Sequence, residues 1–354
     1  MPDGHKDKEL EPIGLREPVV EPDRRIVDAH HHLWPRYRVF GYLPSEYLED
    51  AATHRVEASI FAECMASYDR EAPEHLKPVG ETKYIVRECP PPSEDGKPFI
   101  GAGIVGRVDL SLDASLVREA LEAQVAVGRG RFKGIRYSTI AWHEPDVLPG
   151  MRRNTPGVMR TERFRAAFAE LAGMGLTFDA WLTYLQLDEL TELADRFPDA
   201  DIVIDHFGGV INPARTEAGR REAFDIWRAA IEEIAQRPKV HMKLGGVGMP
   251  VFGFGYEEMA GQPSSDRIAA DWSPYLEVCL EAFGPERCMF ESNFSPDKAG
   301  VTFHNLWNAF KKMTSACSEA EKEQLFSGTA ERVYSLAPSP QAGQGRHLSL
   351  AEGR

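Results

Sequence analysis

The sequence predicts a (β/α)8 barrel of the α/β class, on three observations. Short β-branched or apolar runs recur eight times, at residues 26–30, 58–63, 101–108, 132–137, 176–182, 202–206, 240–244 and 288–292. Segments of helical period lie between them, which is the rhythm of parallel β-α units. A doubly wound open sheet would normally carry a glycine-rich nucleotide loop after its first strand, and that place holds His30-His31-His32 instead. Eight units over roughly 310 residues are the size of one barrel.

Taken in order, residues 1–24 are polar and contain proline, with little to bury, and read as a loose arm before a barrel spanning 25–337. The helix expected over 115–127 carries Leu116, Ala120, Leu121 and Val125 on one side and stops at Gly128. Thr161 is a good N-cap for the next, which places Phe164, Phe168 and Leu171 at i, i+4 and i+7 and ends at Gly173. Leu187, Leu190, Ala194 and Phe197 repeat the pattern before Pro198, and Phe224, Trp227, Ile231 and Ile234 do so before Pro238. Further helices are expected over 274–283 and 318–336, and a disordered tail rich in Gly, Gln and Ser over 338–354. Three long connections read as lids: 64–100, 138–160 with Trp142, His143, Arg152 and Arg153, and 247–273 with Phe252, Phe254 and Tyr256.

Bulk composition narrows the partners. The 354 residues are 42% hydrophobic and carry a formal charge of -14, which argues against nucleic acid and anionic membranes and leaves a small molecule as the expected partner. No apolar run reaches membrane-spanning length. Cys64, Cys89, Cys279, Cys288 and Cys317 are scattered without metal-type spacing and read as reduced thiols of a cytoplasmic protein.

A barrel of this type keeps its active site at the C-terminal ends of its strands, so those ends test the idea. Strand one ends in His30 and His32, which share a face because side chains two apart point together, and two imidazoles there can grip one metal or polarise one carbonyl. Strand two ends in Glu63, strand three near Arg107 and strand four at Arg136. Strand five ends in Trp181 to Tyr184, strand six in Asp205-His206, strand seven in Lys243 and strand eight in Glu291 to Asn293. Barrel packing alone does not require an ionisable or polar group at every end. Some of these groups have structural readings too. Glu291 and Lys243 read equally as a buried ion pair, Arg107 and Arg136 as counter-charges to internal carboxylates, Asp28 as a loop cap, and His31 as a structural residue.

These residues carry a resemblance. Asp28 with His30 and His32, Phe132-Lys133-Gly134-Ile135-Arg136, Phe178-Asp179-Ala180-Trp181 with Gln186-Leu187, Val203 to Gly209, Lys243-Leu244-Gly245 and Phe290 to Phe294 resemble the amidohydrolase superfamily. The branch is amidohydrolase-2, that of sugar-lactone, muconolactone and pyrone-dicarboxylate lactonases, and the resemblance runs from about residue 25 to 336. It implies a hydrolase opening a lactone or related cyclic ester. His30 and His32 would be ligands of a divalent metal, zinc or manganese, or polarise the substrate without one; no organic cofactor is implied. His206 would place substrate or water, and Arg136 would hold a substrate carboxylate or hydroxyl. Lys243, Glu63 and Arg107 are further candidates for substrate binding.

Two positions depart from the family pattern. Tyr184 stands where strand five usually offers a histidine, and Asn293 where strand eight usually ends in an aspartate that is ligand and base. An amide can orient water but has no basic site near neutral pH. Glu291, two residues earlier on the same face, is then the candidate base or ligand; one layer deeper it needs a partner such as Lys243. The rival readings are a metal-dependent decarboxylase of a small aromatic or enol acid, and a non-catalytic binding barrel that has lost its metal. Pairing of two barrels through their outer helices into a homodimer is also expected.

Overall fold

The computed structural model describes residues 17–35, 41–93, 96–141, 154–212 and 216–336. The expected lid residues Trp142, His143, Arg152 and Arg153, the first part of the arm and the tail lie outside them. All eight predicted runs are strands: β1 (Ile26–His31), β2 (Val56–Ala62), β3 (Phe99–Gly106), β4 (Phe132–Ser138), β5 (Thr177–Trp181), β6 (Ile202–Ile204), β7 (Val240–Gly245) and β8 (Cys288–Glu291). They pair in parallel, each with its neighbour in sequence. Beyond the end of β8 the chain meets β1: Asn293 N donates to His30 O at 2.9 Å and His32 N to Phe294 O at 2.7 Å. The barrel therefore closes at its C-terminal rim, on the histidine triplet itself.

Period two sorts the strand side chains into two apolar regions. Outward residues such as Ile135, Phe178 and Phe290 pack under the helices. Inward ones, Val27, Ala29, Ile60, Val105, Val203 and Met289, meet Ala330 and Tyr334 of the C-terminal segment inside the barrel. Above this apolar floor the inward positions are ionisable.

The helices at Ala114–Gly128, Glu162–Gly173, Leu187–Arg196 and Glu217–Ile234 match the expected ones, and Thr161 caps the second by accepting from Phe164 N at 3.3 Å. Among the described residues, three helices of eight or more residues were not expected: Pro44–Ala51, Val79–Glu88 inside the 64–100 connection, and Phe303–Met313. The helix expected to open at Pro274 begins instead at Ser265, capped by Ser264, with the proline inside it. Proline cannot donate to the carbonyl four residues back, which is why it usually opens helices; here the Ser273 hydroxyl donates to Ala269 O at 2.7 Å one residue away. The last expected helix is interrupted by a π turn at Gln324–Gly328 and ends at Val333.

The described part of the arm, 17–24, is not loose. Asn308 accepts from Val20 N at 2.8 Å and donates to Pro18 O at 3.0 Å. Lys311 donates to Glu21 O at 3.0 Å and Lys322 to the Glu21 carboxylate at 2.7 Å. Composition alone missed it because these bonds use backbone and capping groups rather than apolar area.

Candidate active site

His30 and His32 project together as period two requires. Their rings meet edge to face at 4.7 Å, Nε2 to Nε2 at 3.1 Å, and both are buried. His32 Nδ1 lies 2.8 Å from Ala62 O, which can only accept, so Nδ1 carries the hydrogen and Nε2 offers a lone pair. Burial, then the charge of Arg136, holds His32 well below the usual histidine pKa. His31 points the other way, onto Ser59 Oγ at 2.9 Å and the Tyr47 ring, and burial pushes it down to about 3. Asp28 accepts from Ser292 N at 2.8 Å, Ser292 Oγ at 2.6 Å and Tyr47 OH at 2.9 Å; it fastens β1 to β8 rather than capping a loop.

Lys243 is fully buried in the middle of the barrel. Its ammonium donates to Asp179 Oδ2 at 2.6 Å and stands 3.2 Å from His30 Nδ1, and Asp205 Oδ1 is a counter-charge at 3.1 Å without a hydrogen bond among the described residues. Burial opposes its charge, but Asp179 and Asp205 outweigh burial and raise its pKa. Fully buried among these groups, Lys243 takes an internal place where a substrate-binding one was expected. Tyr334 OH also donates to Asp179 Oδ2 at 2.6 Å, tying the C-terminal segment to this layer.

Glu291 is fully buried, one layer below the rim. The partner it needs there is His206: Oε1 accepts from His206 Nδ1 at 2.8 Å and from His206 N at 3.0 Å. His206 adopts a left-handed φ of 56° as the chain leaves β6. Trp181 packs edge-on against its ring at 4.7 Å. Gly246 is required opposite, because a Cβ there would stand 1.9 Å from His206 Nδ1. Glu291 Oε2 is buried with no hydrogen-bond partner among the described residues, 3.2 Å from His30 Nδ1.

On the other side of the mouth, Arg136 Nε meets Glu63 Oε1 at 3.2 Å and Arg136 Nη2 donates to Glu63 O at 2.6 Å. Arg107 reaches the same Oε1 at 3.7 Å. Two guanidiniums thus share one carboxylate, and Glu63 Oε2 is buried and unpartnered among the described residues. Arg136 Nη1 also stands 3.3 Å from His30 Nε2.

Asn293 does not stand alone at the rim. Its amide donates to Asp297 Oδ1 at 2.8 Å, and Asp297 Oδ2 accepts from Gly248 N at 2.9 Å. Burial pushes Asp297 up to about 7. This carboxylate, four residues beyond the position where the family pattern has its aspartate and this chain has Asn293, escaped sequence reading because it lies past the strand in a short helical turn. Tyr184 is not brought to the site. It opens the turn Tyr184–Gln186, and besides burial the charge that raises its pKa is Glu222 of the outer helix. Its expected catalytic role is corrected accordingly: the strand-five residue that meets His206 is Trp181, three positions earlier.

The donors that converge within 4.8 Å of one another, as a metal site needs, are His30, His206 and Glu291, with His206 and Glu291 in place of the expected His32. Two imidazoles and a carboxylate are zinc-type donors. As packed, however, they do not fit a resident divalent ion. The lone pair of His30 Nδ1 is spent on Lys243, the lone pair His206 would offer at Nδ1 is replaced by its hydrogen bond to Glu291, and Arg136 guards His30 Nε2. A metal would enter only if Lys243 withdrew. The binding-barrel reading expected no reactive carboxylate near His30; Glu291 at 3.2 Å removes that ground.

Comparison with known proteins agrees with this architecture. The amidohydrolase family model matches residues 27–336. The chain is 30% identical over 334 residues to the "Uncharacterized protein y4mH" of Sinorhizobium fredii, covering 88% of this chain and 99% of that one. It is 26% identical over 326 residues to the L-fucono-1,5-lactonase of Burkholderia multivorans, covering 89% and 97%. A crystal structure of an amidohydrolase from Burkholderia multivorans with bound zinc superimposes with a TM-score of 0.66 at 23% identity, covering 88% and 99%.

Proposed function

This chain belongs to the amidohydrolase family, and from that premise we propose that it hydrolyses a lactone or related cyclic ester of a small, carboxylated or polyhydroxylated molecule. The observation that carries the reading is the Glu291–His206 pair. With Nδ1–H given to Glu291 at 2.8 Å, the other ring nitrogen of His206 has a lone pair, and the buried carboxylate stabilises the imidazolium that forms when it takes a proton. This is the general base that Asn293 cannot be.

Water attacks the lactone carbonyl carbon while His206 Nε2 accepts its proton. The C=O pair moves onto oxygen, and collapse of the tetrahedral intermediate breaks the ring C–O bond. The proton held by His206 passes to the departing ring oxygen, giving the hydroxy acid and restoring the base. Arg136 and Arg107 meet Glu63 Oε1 at 3.2 and 3.7 Å, and this pair of guanidiniums suits a substrate carboxylate or the developing oxyanion. The name of the Burkholderia multivorans relative, a lactonase, supports the ester class. Among the described residues no helix is long and apolar enough to cross a membrane. The free thiols of Cys89, Cys279 and Cys288 suit a reducing cytoplasm.

The test is a proton-release assay on a panel of sugar 1,5-lactones and pyrone carboxylates, run beside carbon dioxide release from hydroxybenzoates. Hydrolysis of at least one lactone above its spontaneous rate, lost in His206→Ala, supports the reading. Carbon dioxide release without lactone opening would replace it with a decarboxylase.

A further inference from the structure

We infer that the Lys243 ammonium is the resident cation of this barrel: it fills the place a divalent metal would take against His30 and fixes that imidazole in one tautomer. The inference concerns the cation, not the substrate, and stands whether or not the ester reading does.

The argument begins with what each group can do. Lys243 can only donate, so its hydrogen bond to His30 Nδ1 at 3.2 Å requires a lone pair there; Glu291 Oε2, also 3.2 Å from that nitrogen, makes no hydrogen bond to it. The ring hydrogen of His30 then sits on Nε2, pointing at His32 Nε2, 3.1 Å away. His32 is ready to accept, because its own hydrogen goes to Ala62 O at 2.8 Å. One line of donors, Lys243 to His30 to His32 to Ala62, satisfies every nitrogen along it. Arg136 Nη1, 3.3 Å from His30 Nε2, is then a neighbouring charge rather than a hydrogen-bond partner.

A metal bonded to His30 Nδ1 would lie about 2.1 Å from it, on the edge where Lys243 Nζ stands 3.2 Å away. Both cannot occupy that edge. Nor can the ammonium leave readily, since Asp179 at 2.6 Å and Asp205 at 3.1 Å would be left buried and without a counter-charge. Glu291, whose Oε2 is 3.2 Å from the same nitrogen, lies within the field of this ammonium instead of on a metal. The family's zinc-type donors persist here, and a side chain supplies the positive charge between them. A lysine cation is permanent and cannot be chelated away.

Zinc stoichiometry tests this. The wild-type protein, Lys243→Met and the double variant Lys243→Met/Asp179→Asn are each desalted after incubation with one equivalent of zinc, and bound metal is measured by elemental analysis. The double variant removes a carboxylate along with the ammonium, so that a folded protein is available if the single variant does not fold. Wild-type protein should retain little zinc. The variants should bind it at least about 100-fold more tightly, because a like charge has left the nearest edge, and His206→Ala in the same background should abolish that gain. Zinc held stoichiometrically by wild-type protein and lost on His206→Ala would overturn the inference, as would a folded variant that gains none. Nitrogen chemical shifts of His30 in wild-type protein give a second reading. Hydrogen on Nε2, unchanged by added zinc, supports the inference; hydrogen on Nδ1 overturns it.

Discussion

The two sides of the barrel mouth are built from the same residue types, held together differently. On β5 to β8, with His30, the bonds interlock: Lys243 donates to Asp179 and His30, Glu291 Oε1 takes two donors from His206, and Asp179 takes Lys243 and Tyr334 on one oxygen. Glu291 Oε2 and both Asp205 oxygens have no hydrogen-bond partner among the described residues, but they lie in the field of Lys243. On β2 to β4 two guanidiniums, Arg107 and Arg136, share Glu63 Oε1, and Oε2 has no hydrogen-bond partner among the described residues. An interlocked network holds its members in one geometry, which a base and its orienting carboxylate need. A pair of guanidiniums suits an anion or an oxygen carrying negative charge. On the proposed reading the first side does the chemistry and the second the recognition.

The largest expected effect comes from breaking the interlocked side. His206→Ala should lower kcat by about 10²–10⁴-fold, the range for loss of a positioned general base, and steady-state kinetics on a cleaved lactone will read it.

Next is a pH effect at the rim. Asp297 is raised to about 7 in the folded protein, above the unfolded value of 3.8. A raised carboxyl contributes stability that is fully present below the unfolded pKa and is lost as pH rises through the folded one. Relative to Asp297→Asn, the wild-type protein should therefore lose on the order of a few kcal/mol between pH 4 and pH 8. Denaturant midpoints of both proteins across that range check it; a constant difference would show that Asp297 keeps its ordinary pKa.

On the arginine side, Arg136→Met should raise KM for a carboxylated lactone about 10- to 100-fold, the loss of a charged hydrogen-bonded contact, with a smaller effect on a neutral one. Smallest is Tyr334→Phe, which removes one hydrogen bond to a buried carboxylate. Thermal unfolding should show a loss of about 1–3 kcal/mol, because Lys243 still neutralises Asp179.

The same contrast explains what could be read from the sequence. All eight strands were legible because apolar runs and period two survive without any knowledge of partners, and the rim residues followed from the rule that barrel sites lie at strand ends. That rule pointed to His30, Arg136, His206 and Glu291, and the structure gathers His30, His206 and Glu291 with Arg136 beside His30. Pairing was not legible. Whether Glu291 belongs with Lys243 or His206 depends on how far each strand is staggered around the barrel, and the stagger is fixed by bulges such as those in the β1–β2 pairing that no local pattern announces. Parity did hold a further clue: Asp179 and Trp181 share the inward face of β5, so a carboxylate for Lys243 and a wall for His206 were both in view. Tyr184 misled because it follows the strand in a turn, where alternation no longer applies.

The division of labour is tested most directly by measuring kcat and KM separately for Glu291→Gln and Arg136→Met on one carboxylated lactone. The account predicts that Glu291→Gln lowers kcat with KM little changed, since Glu291 is buried behind His206, and that Arg136→Met acts mainly through KM. If Glu291→Gln leaves kcat intact, or if both variants move the same parameter to the same extent, the interlocked side is a structural frame and the assignment of chemistry to it is wrong.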